Sequence, residues 1–117
     1  MTAMTTIERI ETGPRFSHVV IHNGVVYVSG VVSPGTTVRQ QTKNVLRGID
    51  DVLKRAGTDK SKILSATVWL TDMGKFDEMN SAWDKWVSPG NTPVRVCVEA
   101  KLALPGFDVE IQVIAAR

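Results

Sequence analysis

The sequence predicts an α+β fold, a six-stranded sheet with two helices packed on one of its faces. Three observations lead there. Six segments carry strand chemistry, and two carry the apolar period of a helix. The order along the chain is strand, hairpin, helix, strand, helix, strand, strand. Finally, 117 residues make one domain, long enough to bury roughly two-thirds of its unfolded surface.

The first strand covers 7–10 and reads as an edge strand, punctuated by Gly13-Pro14. His18-Val19-Val20-Ile21-His22 and Val25-Val26-Tyr27-Val28-Ser29 are rich in β-branched residues. Asn23-Gly24 between them is a strong hairpin signal, because both turn positions need positive φ. Gly30 and the Ser33-Pro34-Gly35 loop follow. A helix starts at Thr37, where Thr37 and Gln40 form a capping box. Val38, Val45, Leu46, Ile49, Val52 and Leu53 then recur at helical spacing until Gly57 stops the helix.

Ile63–Leu70 returns to strand chemistry, with Leu64, Ala66, Val68 and Leu70 on one face and Ser65, Thr67 and Trp69 on the other. Asp72 is placed to cap a second helix, whose stripe is Phe76, Met79, Trp83 and Trp86. That stripe reads as core rather than as a cofactor box. Ser88-Pro89-Gly90 ends it. The fifth strand runs over 93–100, with Val94, Val96, Val98 and Ala100 on one face and Arg95, Cys97 and Glu99 on the other. Leu104-Pro105-Gly106 turns the chain into a last strand over 107–115, where Phe107, Val109, Ile111 and Val113 oppose Asp108, Glu110 and Gln112.

Two helices cover only one face of six strands. Parity assigns Arg95, Cys97, Glu99, Glu110, Gln112, Ser65, Thr67 and Trp69 to the uncovered face. That set is too mixed for a second core and too apolar for plain surface, so a subunit interface is expected there.

Composition narrows the function classes. A net charge of +2, with cations spread among acids, leaves no nucleic-acid footprint. One cysteine excludes an internal disulfide and fits a reducing compartment. No run is long enough to span a membrane, and residues 1–11 lack the pattern of a secretory signal, so a cytoplasmic location is expected. His18 and His22 share a strand parity without a third ligand, so no metal site is expected. Gly-x-Gly-x-x-Gly, P-loop, Cys-x-x-Cys and Gly-x-Ser-x-Gly patterns are absent.

Two constellations remain. If the last two strands pair antiparallel across their tight turn, Arg95 and Glu110 are neighbours on the ladder. Two readings then stay open: a structural ion pair, or an arginine left free to hold a substrate carboxylate with its two-pronged fork. Cys97, beside Arg95, is a small buried residue or a nucleophile that a nearby cation activates.

Pro93-Val94-Arg95-Val96-Cys97-Val98-Glu99-Ala100, then Leu104-Pro105, Val109-Glu110-Ile111 and Ala115-Ala116, resemble the signature of the RidA (YjgF) family. Gly13-Pro14, Val28-Ser29-Gly30 and Thr67-Val68-Trp69-Leu70-Thr71-Asp72 fit as well. So do Phe76, Asn80 and Trp83-Asp84-Lys85-Trp86. The likeness runs from about Gly13 to the C-terminus. It implies a chorismate-mutase-like mixed sheet and a homotrimer whose sheets form a central β-barrel, with a cleft at each subunit interface. It also implies enamine/imine deamination: 2-imino acids of the 2-aminoacrylate type are hydrolysed to 2-keto acids and ammonia, with no cofactor.

Carried over by motif, Arg95 clamps the substrate carboxylate and the backbone at Cys97 helps hold substrate or water. Glu110 orients or activates the water. Ser29 and Asn80 line or support the cleft. Where well-studied members carry a tyrosine after Gly-Pro, this chain has Arg15-Phe16, an aromatic wall without a hydroxyl and a second cation. Val31 stands where glutamine is common. The alternatives are a trimeric carboxylate-binding or sensing module without efficient turnover and, ranked lower, an endoribonuclease or translation inhibitor. The weak charge and the lack of a basic, aromatic-lined strand disfavour the last.

Overall fold

A computed structural model describes residues 6–117; of the N-terminal stretch 1–11 read above, residues 1–5 lie outside it. The eight main elements are β1 (Glu8–Thr12), β2 (Ser17–His22), β3 (Val25–Val28), α1 (Val38–Arg55), β4 (Ile63–Leu70), α2 (Phe76–Trp86), β5 (Val94–Glu99) and β6 (Val109–Ala116). They form one sheet in the order β1-β2-β3-β6-β4-β5. β4 and β5 run parallel and every other neighbouring pair is antiparallel, so the sheet is mixed. The predicted α+β class, six strands and two helices are all present.

The local signals act as expected at most ends. Asn23 and Gly24 both take positive φ, 51° and 75°, as the two-residue hairpin between β2 and β3 requires. The Thr37 side chain accepts a hydrogen bond from Gln40 N at 3.0 Å, capping α1. Asp72 caps something shorter than expected. Its carboxylate accepts from Gly74 N at 2.8 Å and starts a 3-10 turn, Met73–Lys75, and α2 begins after that turn with no side-chain cap. Leu64 is also displaced. A bulge between Ile63 and Ser65 leaves Leu64 without a register partner and 50% exposed, while Ile63 takes the buried position.

The core lies between the helices and one sheet face. Val45, Leu46, Ile49 and Leu53 of α1 and Met79 and Trp83 of α2 pack on Val19, Val26, Val68 and Ile111. Each such side chain contributes roughly 1.5–3 kcal/mol by leaving water. The last strand keeps its predicted parity, with Val109, Ile111 and Val113 fully buried.

β5 does not keep its predicted side. β6 pairs with β3 and β4, and β5 pairs with β4 alone, so β4 separates the last two strands. In register, Arg95 lies opposite Ala66 and Cys97 opposite Val68, both buried against the helices. Arg95, Cys97 and Glu99 therefore face the helix layer. Glu110 lies opposite Trp69 on the uncovered face. The expected Arg95–Glu110 ladder pair is absent because the tight-turn rule fails when the chain crosses over a strand. Val94, Val96 and Val98 take the uncovered face instead, at 72%, 57% and 43% exposure.

One buried polar residue ties two loops to the helix layer. Gln41 is 2% exposed. Its Nε2 donates to the carbonyls of Gly35 and Gly106, each at 3.2 Å, and its Oε1 accepts from Asp108 N at 2.8 Å. Leucine at this position leaves those three backbone groups without the amide. We expect Gln41→Leu to cost about 3 kcal/mol, measured as a lower urea midpoint; an unchanged midpoint refutes the role given to Gln41.

Candidate active site

Arg95 sits on edge strand β5 and reaches across to α2. Its Nη1 donates to Asn80 Oδ1 at 2.8 Å and lies 3.9 Å from Met79 Sδ. The guanidinium lies over the Trp83 ring, 5.0 Å from the centroid, with Phe76 at 5.9 Å. An amide, a thioether and two rings thus hold the fork, and among the described residues no carboxylate neutralises it. Both parts of the arrangement follow from α2. Positions 76, 79, 80 and 83 fall on neighbouring turns of one helix face, so the stripe that packs the core also cradles the arginine.

Cys97 is half-buried on the same side and packs against the core. Burial pushes its thiol pKa up, and the nearby Arg95 charge offsets this only in part. A thiol of this kind is protonated at neutral pH, so Cys97 is no activated nucleophile in the free chain.

Glu110 belongs to a second cluster on the uncovered face. It is half-buried in a cavity of about 90 Å³ lined by Gly30, Val32, Leu102, Leu104 and Phe107. A Cβ on Gly30 would stand 2.0 Å from Glu110 Oε2, so the missing side chain at position 30 leaves room for this carboxylate. Ser29 precedes that glycine and shares the uncovered-face parity of Tyr27; its N–H is bound to the His18 carbonyl at 2.9 Å. Gln41 acts at a distance here, because the 104–108 loop it holds forms one wall of the Glu110 cavity.

Arg15 and Phe16 form a third group at the turn between β1 and β2. Phe16 is 61% exposed and its ring lies 5.7 Å from that of His18. Both line a shallow hollow with Glu11 and Gly13. β2 and β5 are four strand spacings apart, roughly 19 Å. One chain therefore brings Arg95, Asn80 and Cys97 together, sets Glu110 beside Gly30 and Ser29 on the other face, and keeps Arg15 and Phe16 away from Arg95, with Phe16 against His18, whose carbonyl binds Ser29. Helical spacing assigns Trp83 and Met79 to the core alone; their second role against Arg95 needs the parallel β4–β5 pairing, which no local signal announces. Among the described residues no cluster of three or more metal-ligating side chains is present.

Known proteins share this arrangement of elements. A family model described as Endoribonuclease L-PSP matches residues 6–117. A RutC family protein of Haemophilus ducreyi is 48% identical over 112 residues, covering 94% of this chain and 96% of its own. A solved structure of a YjgF-family protein from Neisseria meningitidis superposes with a TM-score of 0.95 at 44% identity, covering 97% of each chain. More distantly, a rat protein named 2-iminobutanoate/2-iminopropanoate deaminase is 28% identical over 111 residues, 87% of this chain and 80% of its own. With the family model matching all but the first five residues, the chain belongs to the RidA/YjgF family.

Proposed function

We propose that this protein is an imine deaminase that hydrolyses small 2-imino acids to 2-keto acids and ammonia, working as a homotrimer. The observation that carries the reading is the state of Arg95: a fork fixed by Asn80 and Trp83, with no acidic partner among the described residues. A structural arginine on a sheet is expected to be paired. One held ready and left unneutralised suits a substrate carboxylate. The rat relative's name supports the same chemistry.

In this reading the imino acid docks its carboxylate on Arg95, which fixes the C2 carbon. An enamine first tautomerises to the imine. Water then adds to C2 as the nitrogen gains a proton, giving a carbinolamine. The C2–N bond breaks as the nitrogen takes a second proton and leaves as ammonia, and the hydroxyl proton is lost to form the ketone. Glu110 takes the proton from water and passes one to the departing nitrogen. Imine hydrolysis is facile, so positioning and one proton relay suffice. Arg95 and Glu110 lie on opposite sides of their own sheet. The cleft is therefore assigned to the junction of two copies, where Arg95 of one meets Glu110, Ser29 and Phe16 of the next. Arg15 there favours a ligand with a second negative charge.

The test generates imines in situ with an amino-acid oxidase and traps what remains with semicarbazide. Wild-type protein is expected to lower the trapped fraction. No effect on any imine leaves a binding module instead. Glu110→Gln keeps the shape and removes the base, so kcat is expected to fall by about 10²-fold with KM little changed; a change in KM alone would assign Glu110 to binding.

A further inference from the structure

A cavity of about 230 Å³ lies away from the three groups of site residues described above. It opens between α1, α2 and the 3-10 turn Lys60–Lys62. Five of its nine lining residues are cationic: Arg39, Lys43, Arg47, Lys60 and Lys85. None of the five forms an ion pair among the described residues. The Arg95 group uses positions 76, 79, 80 and 83 of α2, and the cavity uses 81, 82, 85 and 86, so the two share no residue.

The cations are arranged rather than scattered. Arg39, Lys43 and Arg47 stand four residues apart on one stripe of α1, a row about 12 Å long with steps of about 6 Å. Lys85 faces the row from α2, and Lys60 closes the end nearest Trp86, 5.4 Å from that ring's centroid. Like charges at this spacing repel; the carboxylates that reach the rim, Glu78 on the Arg39 N–H at 3.4 Å and Asp50 on the Trp86 indole, form no ion pair with them. The remaining lining is of another kind. Leu46, Ala82 and Trp86 make an apolar wall, and the Trp86 indole N–H is tied to Asp50 Oδ1 at 3.0 Å, which fixes the ring. A short row of arginine and lysine beside a fixed aromatic ring matches a compact ligand with a phosphate chain at one end and a flat ring at the other.

We propose that this cavity binds an organic pyrophosphate of the nucleoside diphosphate class. The phosphates lie along Arg39, Lys43, Arg47 and Lys85, and the ring lies against Leu46, Ala82 and Trp86. A polymer is disfavoured because the row stops after about 12 Å, at the Lys60–Trp86 end. The small net charge of +2 conceals the site, since its cations come from three separate elements.

The experiment is calorimetric titration of the full-length protein at low salt with ADP, inorganic pyrophosphate and a single-stranded oligonucleotide. The expected result is one ADP per chain, bound more tightly than pyrophosphate. Affinity should fall at least about tenfold in Lys43→Gln/Lys85→Gln, and Arg95→Ala should leave it unchanged. Lys43 and Lys85 are exposed and unpaired and lie among like charges, so the double variant should melt no lower than wild type without ligand. No ADP binding at millimolar concentration overturns the proposal. So does binding that Arg95→Ala abolishes, because the anion then sits at the other site. Pyrophosphate binding as tightly as ADP removes the ring from the proposal. An oligonucleotide that bridges several chains replaces the small ligand with a polymer.

Discussion

Arg95→Ala is expected to remove imine hydrolysis while leaving the fold and the assembly intact. The lost contact is a charged, two-pronged one, worth roughly 3 kcal/mol, so kcat/KM should drop on the order of 100-fold or more. The drop should appear in both parameters, because the carboxylate anchor also sets the distance from C2 to the water. Arg95→Lys is the sharper variant. It keeps the charge, but the ammonium cannot engage Asn80 and a carboxylate with one planar fork, nor stack on Trp83. Its activity should lie much nearer to alanine than to wild type. Circular dichroism and light scattering on both variants separate a lost anchor from a lost fold. An Arg95→Ala protein with wild-type turnover would show that another group binds the carboxylate and would sink the site assignment.

The parts of this fold that local chemistry controls were legible in the sequence. The Asn23-Gly24 hairpin, the Thr37 cap and the burial parity of β6 each depend on residues within a few positions of one another. The side taken by β5 does not. It depends on β5 joining the sheet beyond β4 rather than beside β6, a choice between two ladders that offer similar local geometry. Once β5 pairs with β4, Arg95 moves to the helix layer and three valines turn outward. Alternation alone had already grouped Val94 with Val96 and Val98, and only the side was misread. Motif resemblance picked out Arg95, Asn80 and Cys97, which the structure brings together, but carried no signal that Glu110 lies on the far side of the sheet.

That same exchange of faces strengthens the case for assembly. The expected face, with arginine, cysteine and two glutamates among its residues, is the more polar of the two. The observed face is harder to leave wet. Val94, Val96 and Val98 line up with Ser65, Thr67 and Trp69, and next to them with Ile114, Gln112 and Glu110. Contiguous exposed valines at the edge of a sheet mark an interaction surface. Val96 is at the middle of the ladder and makes no contribution to the helix-side core. Val96→Asp is therefore expected to fold as a single chain and fail to assemble, since each copy would bury an unpaired carboxylate at the junction, at a cost of several kcal/mol. Light scattering should report a monomer, against the trimer proposed for wild type, with helical and strand content unchanged. Imine hydrolysis should vanish with the assembly, because a lone chain keeps Glu110 on the opposite face of the sheet from Arg95. A monomeric Val96→Asp that still turns over imines at the wild-type rate would mean that one chain carries a whole site, and the shared cleft would have to be abandoned.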